Sequence, residues 1–209
     1  MTPLDHFHRW RDKRRLRDPG FAYLFEPDSS GELVCFDLET TSLDPKIAEI
    51  LSIGAVKIRQ KRVLASQRLH LLVKPSGKIA EDSIRAHQLR NVDVAGGLEP
   101  REALSRLLEF IGSRPLVGYY LEFDVAVVNR YLKEWLGIRL PQPQTEVSAQ
   151  YYDWKTRGGI DRYVDLGFDR ILKDLDLPEL PKHNPVNDSL MAALIYTKLK
   201  YQTKPSSHD

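Results

Sequence analysis

Residues 33–41 read Leu33-Val34-Cys35-Phe36-Asp37-Leu38-Glu39-Thr40-Thr41, an apolar run that turns acidic as it ends. Its first half has the composition of a buried strand. Side chains of a strand alternate between faces, so Asp37 and Glu39 fall on one side of any sheet that contains them. Two like charges placed there repel each other and are poorly solvated. A bound cation is the usual physical reason for such a pair. The stretch therefore demands a sheet, and also something on one face of that sheet to answer the acids.

The chain has 209 residues, room for one domain with a sizeable core. Its single cysteine, Cys35, excludes an intramolecular disulfide and a cysteine-cluster zinc site. Its place in the strand makes it a small core residue. No apolar run approaches the ~20 residues of a membrane span, and the N-terminus lacks the apolar core of a signal peptide. The expectation is a cytoplasmic protein with no membrane attachment. The net charge of +2 says little, but its distribution says more. Arg9, Arg11, Lys13, Arg14, Arg15 and Arg17 crowd one short run. A nucleic-acid contact and a solvated helix face are both open readings of that run.

Residues 1–31 read as a basic N-terminal extension, 32–201 as the main domain and 202–209 as a polar tail. The extension is broken by Phe21-Ala22-Tyr23-Leu24-Phe25, which should dock on the domain, since a free arm needs no such apolar group. The first strand is expected at about 32–38. Residues 48–59 alternate, with Ile50, Ser52, Gly54, Val56 and Ile58 on one face and Leu51, Ile53, Ala55 and Lys57 on the other, a strand covered on both sides. Leu69, Leu71 and Val73 mark a third strand, and short connections make the three an antiparallel meander. A short helix is expected over 80–90. Pro100 opens another, with Leu104, Leu107, Leu108 and Ile111 on one face. Residues 116–118 form a short buried strand, 122–136 a helix stopped by Gly137, and 167–175 a further helix. A short strand or helix is expected near 147–152. Asn184 can cap and Pro185 can start the last helix, about 185–200. Strands first, then helices around a later strand, describe an α/β layer with a mixed sheet.

Further acids stand at element starts. Asp124 lies in the first turn of the mid-chain helix, where the helix dipole also favours a carboxylate; neighbouring Glu122 should point elsewhere. Asp188 lies one turn into the last helix, with His183 just before the cap. A neutral imidazole there can take a proton from a metal-bound water. Taken singly, each has a plain structural reading: Asp124 as a dipole-stabilised residue, His183 as a surface residue. Asp161, Asp165, Asp169, Asp174 and Asp176 read as solvated loop and helix charges.

Together, the acid pair leaving a first strand, the acid entering a mid-chain helix, and His plus Asp opening a C-terminal helix resemble the DEDDh 3′–5′ exonuclease superfamily. The motifs are Phe36-Asp37-Leu38-Glu39-Thr40-Thr41-Ser42-Leu43-Asp44-Pro45, Leu116-Val117-Gly118-Tyr119-Tyr120-Leu121-Glu122-Phe123-Asp124, and residues 183–188. Residues 83–89 also look like that family's Ile-x-x-x-His stretch. The chain departs from the commoner pattern at Ser42, often glycine, and at Tyr119-Tyr120, often His-Asn. More narrowly, it resembles stand-alone bacterial exonucleases related to the polymerase III epsilon subunit.

The resemblance implies an RNase H-like mixed five-stranded sheet flanked by helices. It implies that Asp37, Glu39, Asp124 and Asp188 hold two divalent ions and that His183 is the general base. Oxygen-only ligands suit Mg²⁺ or Mn²⁺ better than zinc, and two such ions about 4 Å apart suit phosphodiester hydrolysis. By the same resemblance Thr40, Thr41, Leu43, His87 and Phe123 surround the terminal nucleotide. Phe123 as helix core and His87 as a surface residue stay open, and Tyr119-Tyr120 could stack on a base. The activity implied is release of nucleoside 5′-monophosphates from the free 3′ end of single-stranded DNA. The alternatives are an exoribonuclease or oligonucleotide nuclease, and a binding module that kept the fold without the chemistry; the five filled catalytic positions weigh against the last. A polymerase partner is left open, as is the oligomeric state.

Overall fold

The computed structural model describes residues 3–77, 79, 81, 83, 84, 89–157 and 163–201. Three strands follow one another: β1 (Glu32–Thr40), β2 (Ile50–Arg59) and β3 (Arg62–Leu72). They pair antiparallel, as the alternation predicts. Two short strands, β4 (Leu116–Gly118) and β5 (Gln144–Glu146), extend the sheet parallel to β1, giving the order β3-β2-β1-β4-β5. β1 takes the central position, and its Val34, Cys35 and Phe36 are fully buried.

Helices cover both faces. The sequence-ordered set is α1 (Pro3–Arg15), a 3₁₀ segment (Pro19–Phe25), α2 (Asn91–Val94), α3 (Pro100–Ile111), α4 (Leu121–Trp135), α5 (Val147–Thr156), α6 (Phe168–Asp174) and α7 (Pro185–Tyr201). Val34, Phe36 and Leu38 pack with α3 and α4. Cys35, Val56 and Ile58 pack on the other side with α5, α6 and α7. Alternation then sends Asp37 and Glu39 to the α7 side. Of the strand or helix expected near 147–152, the helix forms, as the first part of α5, and the strand β5 precedes it. The helix expected over 80–90 lies for the most part outside the described residues.

The predicted alternation of β2 fails at one place. Glu39 pairs with Ser52 but Thr40 with Ile50, so Leu51 is an extra residue in β2. Such a bulge reverses the faces beyond it. Ile50 therefore joins Ile53 and Ala55 in one core rather than Ser52 on the opposite face, and Leu51 packs separately with Ile79 and Val94. β3 is longer than Leu69, Leu71 and Val73 imply, because its pairing jumps from Leu64 to Arg68 and hides the period.

The N-terminal residues are folded onto the domain. Leu24 and Phe25 are buried, and Phe21 meets the edge of Trp135 at 5.0 Å. Arg9 donates to the carbonyls of Pro141 and Phe25, both at 2.7 Å. Arg17 donates to the carbonyl of Glu134 at 2.6 Å. Two of the six basic residues in the run are thus staples between the extension and the domain rather than solvated charges. The buried Asp12 holds Arg139 at 3.1 Å and Arg11 at 3.3 Å.

The seating of α7 decides what the fold can do. Gly54 lies opposite Asp37 in the β1–β2 pairing. A methyl group at Gly54 would come within 2.1 Å of the Pro185 carbonyl carbon and 2.3 Å of the Val186 nitrogen. The first turn of α7 therefore rests on bare backbone, beside Asp37 of β1. Asn184 caps that turn, accepting from the amides of Val186 at 3.1 Å and Asn187 at 3.3 Å. Gly54→Ala must lift this turn off the sheet. It is expected to cost about 1–3 kcal/mol, read as a lower denaturant midpoint, and to weaken divalent-cation binding in the same protein.

Candidate active site

Five residues from three parts of the chain line one cleft of about 1010 Å³: Asp37 and Glu39 of β1, Asp124 of α4, and His183 and Asp188 at the start of α7. Carboxylate oxygens of Asp37, Glu39 and Asp188 all lie within 4.8 Å of one another. All three side chains are partly exposed, so they reach the cleft without being lost to solvent. An oxygen-only set of this size fits a hard divalent cation.

Asp124 stands apart from that trio. It is 4% exposed and belongs to the first turn of α4. β1 pairs with β4 only at Val34 and Cys35, and beyond that point the backbone of Leu38 bonds the Asp124 carboxylate instead. Asp124 still lines the same cleft, and its charge is the first after burial to push Asp37 up. Glu122 points away to solvent, as expected.

Each site carboxyl is held above its usual range. Burial pushes Asp37 well up, and the charges of Asp124, Asp188 and Glu39 push it further. Burial, then Asp188, raises Glu39 to about 7. Burial raises Asp188 to about 6, against the opposing pull of the His183 charge and of backbone hydrogen bonds from His183 and Asn184. Burial raises Asp124 well above its range despite the Leu38 bond, with Glu39 adding to the rise. Cys35 beneath them is fully buried, and burial together with Asp37 keeps its thiol protonated.

His183 is exposed in the loop before α7, with a left-handed backbone at φ 58°. That conformation is uncommon for a residue with a side chain and is a feature of constrained sites. It sets His183 on the cleft wall one turn from Asp188.

The expected nucleotide contacts divide. Thr40, Leu43 and Phe123 line the cleft. Leu43 is 92% exposed, an apolar side chain with nothing among the described residues to cover it. Phe123 does both things it could do, lining the cleft and packing on the core. Thr41 does not line the cleft: its hydroxyl accepts from the Glu49 amide at 3.0 Å, and its own amide donates to the Glu49 carbonyl at 2.9 Å. His87 lies outside the described residues. The two tyrosines have separate fates. The Tyr119 ring packs on Phe168, 4.5 Å between centroids, and its hydroxyl donates to the Leu166 carbonyl at 3.1 Å. Tyr120 is 64% exposed with a left-handed backbone at φ 55°.

Other residues of the site escape sequence reasoning. Glu146 accepts from the Leu121 amide at 2.8 Å and from the Ser148 amide at 3.0 Å, so one carboxylate caps both α4 and α5. Nothing local links it to Leu121, 25 positions away. Asp165 and Asp169 line the cleft with Arg170, Lys173 and Lys182, and Lys182 pairs with Asp169. Asp174 is nearly buried, accepting from the Tyr151 hydroxyl at 2.5 Å and Lys155 at 2.6 Å. Asp174 is therefore not a solvated charge, whereas Asp165, Asp169 and Asp176 are exposed as expected; Asp161 lies outside the described residues.

The exonuclease family model of RNase T type matches residues 34–196. The chain belongs to that family, in agreement with the DEDDh motifs. It is similar to the DNA polymerase III subunit epsilon of Aquifex aeolicus, 24% identical over 169 residues that make up 81% of this chain and 80% of that one. It is also similar to the PolC-type DNA polymerase III of Thermotoga petrophila, 25% identical over 82% of this chain but only 12% of the polymerase. E. coli exonuclease I, solved with a dT13 oligonucleotide, shares the fold at TM-score 0.66 and 11% identity, over 82% of this chain and 41% of that one. The chain thus spans about an eighth of the PolC-type polymerases and under half of exonuclease I. Among the described residues no helix is long and apolar enough to cross a membrane.

The raised carboxyls give a signed pH dependence. Glu39 and Asp188 bind protons more tightly folded than unfolded, so their contribution to stability is full below the unfolded carboxylate range and is lost as pH rises through about 6 and about 7. With a chelator present, the melting temperature should fall as pH is raised from about 5 to about 8, and saturating Mg²⁺ should flatten the profile by answering the same charges. Thermal unfolding across that range, with and without the ion, checks it; a chelated protein that gains stability with pH would contradict the reading of the site.

Proposed function

We propose that this chain is a divalent-metal-dependent 3′–5′ exonuclease that releases nucleoside 5′-monophosphates from single-stranded DNA. The observation that carries the reading is the convergence of Asp37, Glu39 and Asp188 within 4.8 Å in a cleft that also holds Asp124 and His183. Asp37, Glu39, Asp188 and Asp124 would hold two divalent cations, Mg²⁺ or Mn²⁺, which when bound supply Lewis-acid activation of water and neutralise charge on the phosphate.

The chain's own residues do the rest. His183, exposed at the cleft edge, takes the proton from the attacking water. Asp37 is central to the acid cluster, feeling the charges of all three others, and is the natural shared ligand. Leu43 and Phe123 offer apolar surfaces to the terminal base and sugar, and Thr40 lines the same cleft. The oligonucleotide bound to E. coli exonuclease I supports a single-stranded substrate. The epsilon-subunit likeness supports DNA, a cytoplasmic setting and a polymerase partner. An RNA or short-oligonucleotide substrate is the second reading, favoured by Tyr120 replacing a small polar residue at the cleft.

One assay separates these. The protein is given 5′-labelled single-stranded DNA, duplex DNA, RNA and dinucleotides with Mg²⁺ or Mn²⁺, and the product ladders are compared. A ladder from single-stranded DNA that needs a free 3′ end is expected; cleavage of RNA alone would overturn the substrate assigned. Asp37→Asn should retain the fold and fall below about a hundredth of the wild-type rate, since even residues behind metal ligands cost 10–100-fold. His183→Ala should lower kcat by about 100- to 10,000-fold while calorimetry shows divalent-cation affinity retained. Unchanged kinetics would remove His183 as the base.

A further inference from the structure

We infer that the outward face of α1 is a second contact surface for single-stranded nucleic acid, holding the strand several nucleotides upstream of the end in the cleft. The inference rests on the exonuclease reading above and concerns a surface far from its chemistry.

Helical spacing divides α1 into two faces. His8, Arg9 and Asp12 turn inward, against the domain, each at least partly buried. Phe7, Trp10, Arg11, Arg14 and Arg15 recur at i, i+3, i+4, i+7 and i+8 and so share the outward face. Phe7 and Trp10 are each 54% exposed. Their rings stack, 6.0 Å between centroids at an interplanar angle of 29°. The Arg14 guanidinium lies 4.5 Å over the Trp10 ring. The result is a preformed ladder of two flat rings and a cation on a rigid element.

The charges left over point to a polyanion. Arg9 and Arg17 are consumed by backbone carbonyls, and Arg11 is shared with Asp12. Arg14 and Arg15 are exposed and carry no acidic partner among the described residues. Exposed aromatic rings interleaved with free cations match a strand that alternates flat bases with phosphates. A lipid surface would call for apolar and basic residues on opposite faces of the helix and for a larger apolar stripe.

The position sets the reach. Arg17, just past α1, is tied to the Glu134 and Leu136 carbonyls, at the end of α4 opposite Asp124. α4 has 15 residues, which at about 1.5 Å rise each separate the two regions by about 20 Å. At about 3.4 Å per stacked nucleotide, a strand must be longer than about six nucleotides to touch both.

The test compares full-length wild type with the double variant Trp10→Ala, Arg14→Ala, on labelled DNA single strands of about 30 and about 4 nucleotides. Affinity for the long strand is read by fluorescence anisotropy in chelator, and KM and kcat by product release with Mg²⁺. Both side chains are exposed, so the variant should fold normally. The expected result is a roughly 5- to 100-fold loss of long-strand affinity. The salt dependence should become shallower by about 0.7 for each phosphate that the variant no longer neutralises, with kcat and all short-strand kinetics unchanged. Trp10→Phe with Arg14→Lys should restore most of the affinity. Unchanged long-strand affinity overturns the inference and leaves the face to a protein or lipid partner. An equal loss on the short strand also overturns it, as an effect on the domain. Failure of wild type to release nucleotides from either strand overturns the exonuclease reading instead, which anisotropy distinguishes because it reads binding without catalysis.

Discussion

The close approach of the α7 backbone to Gly54 is the contact on which the site depends. Gly54 faces Asp37 across the β1–β2 pairing, and only a residue without a side chain leaves room for Pro185 and Val186 at that spot. With the helix start held there by the Asn184 cap, Asp188 and His183 have little freedom in where they fall. Asp188 is brought against Asp37 and Glu39, although like charges that close repel. Burial first, and this repulsion after it, hold Asp37 and Glu39 above their normal range. The core packing of α7 on the sheet, through Met191, Ala193 and Ile195, must exceed it. A fold that spends packing energy to assemble mutually repelling acids has its stability set against its chemistry. Divalent cations bound among these acids would relieve that tension, and function and stability would then be linked through the carboxylate cluster.

The parts of this arrangement that sequence could show are those written in local patterns. β1 announces its acids by alternation, and α7 announces its start by Asn184-Pro185, so Asp37, Glu39, Asp188 and His183 could be named before any fold was known. Asp124 was legible as a first-turn acid, but the bond from the Leu38 backbone to its carboxylate was not. That follows from β1 outrunning its pairing with β4, a property of two strands about 80 residues apart. Gly54 looked like one more small residue on an alternating face, because the helix it accommodates begins more than a hundred positions later. Glu146 was silent for the same reason. The bulge at Leu51 reversed faces inside an apolar stretch, where composition gives no sign of which way a side chain points.

The charged residues show the converse problem, where the local pattern is plain and its meaning is not. Six basic residues in one run look alike on paper, yet Arg9 and Arg17 bind carbonyls while Arg14 lies on an exposed ring. Asp174 and Asp165 likewise belong to one scatter of acids, but the first anchors Tyr151 and Lys155 and the second lines the cleft. Charge is the property that sequence reports most directly and structure redistributes most thoroughly. A long side chain can reach several partners, and which one it takes depends on what the fold brings near.

The two ends of α4 then give the molecule a direction. At its N-terminus are the acids, a concentration of negative charge that by itself repels a polyanion. At its C-terminus the domain is joined to a helix whose outward face is basic and aromatic. A phosphodiester strand is not drawn to the first without a cation to screen it, but it is drawn to the second at long range. Separating attraction from chemistry in this way lets the cleft keep the high density of carboxylates that metal-assisted hydrolysis needs. If the α1 face binds the strand as we infer, affinity is supplied there and the acids of the cleft need supply none of it.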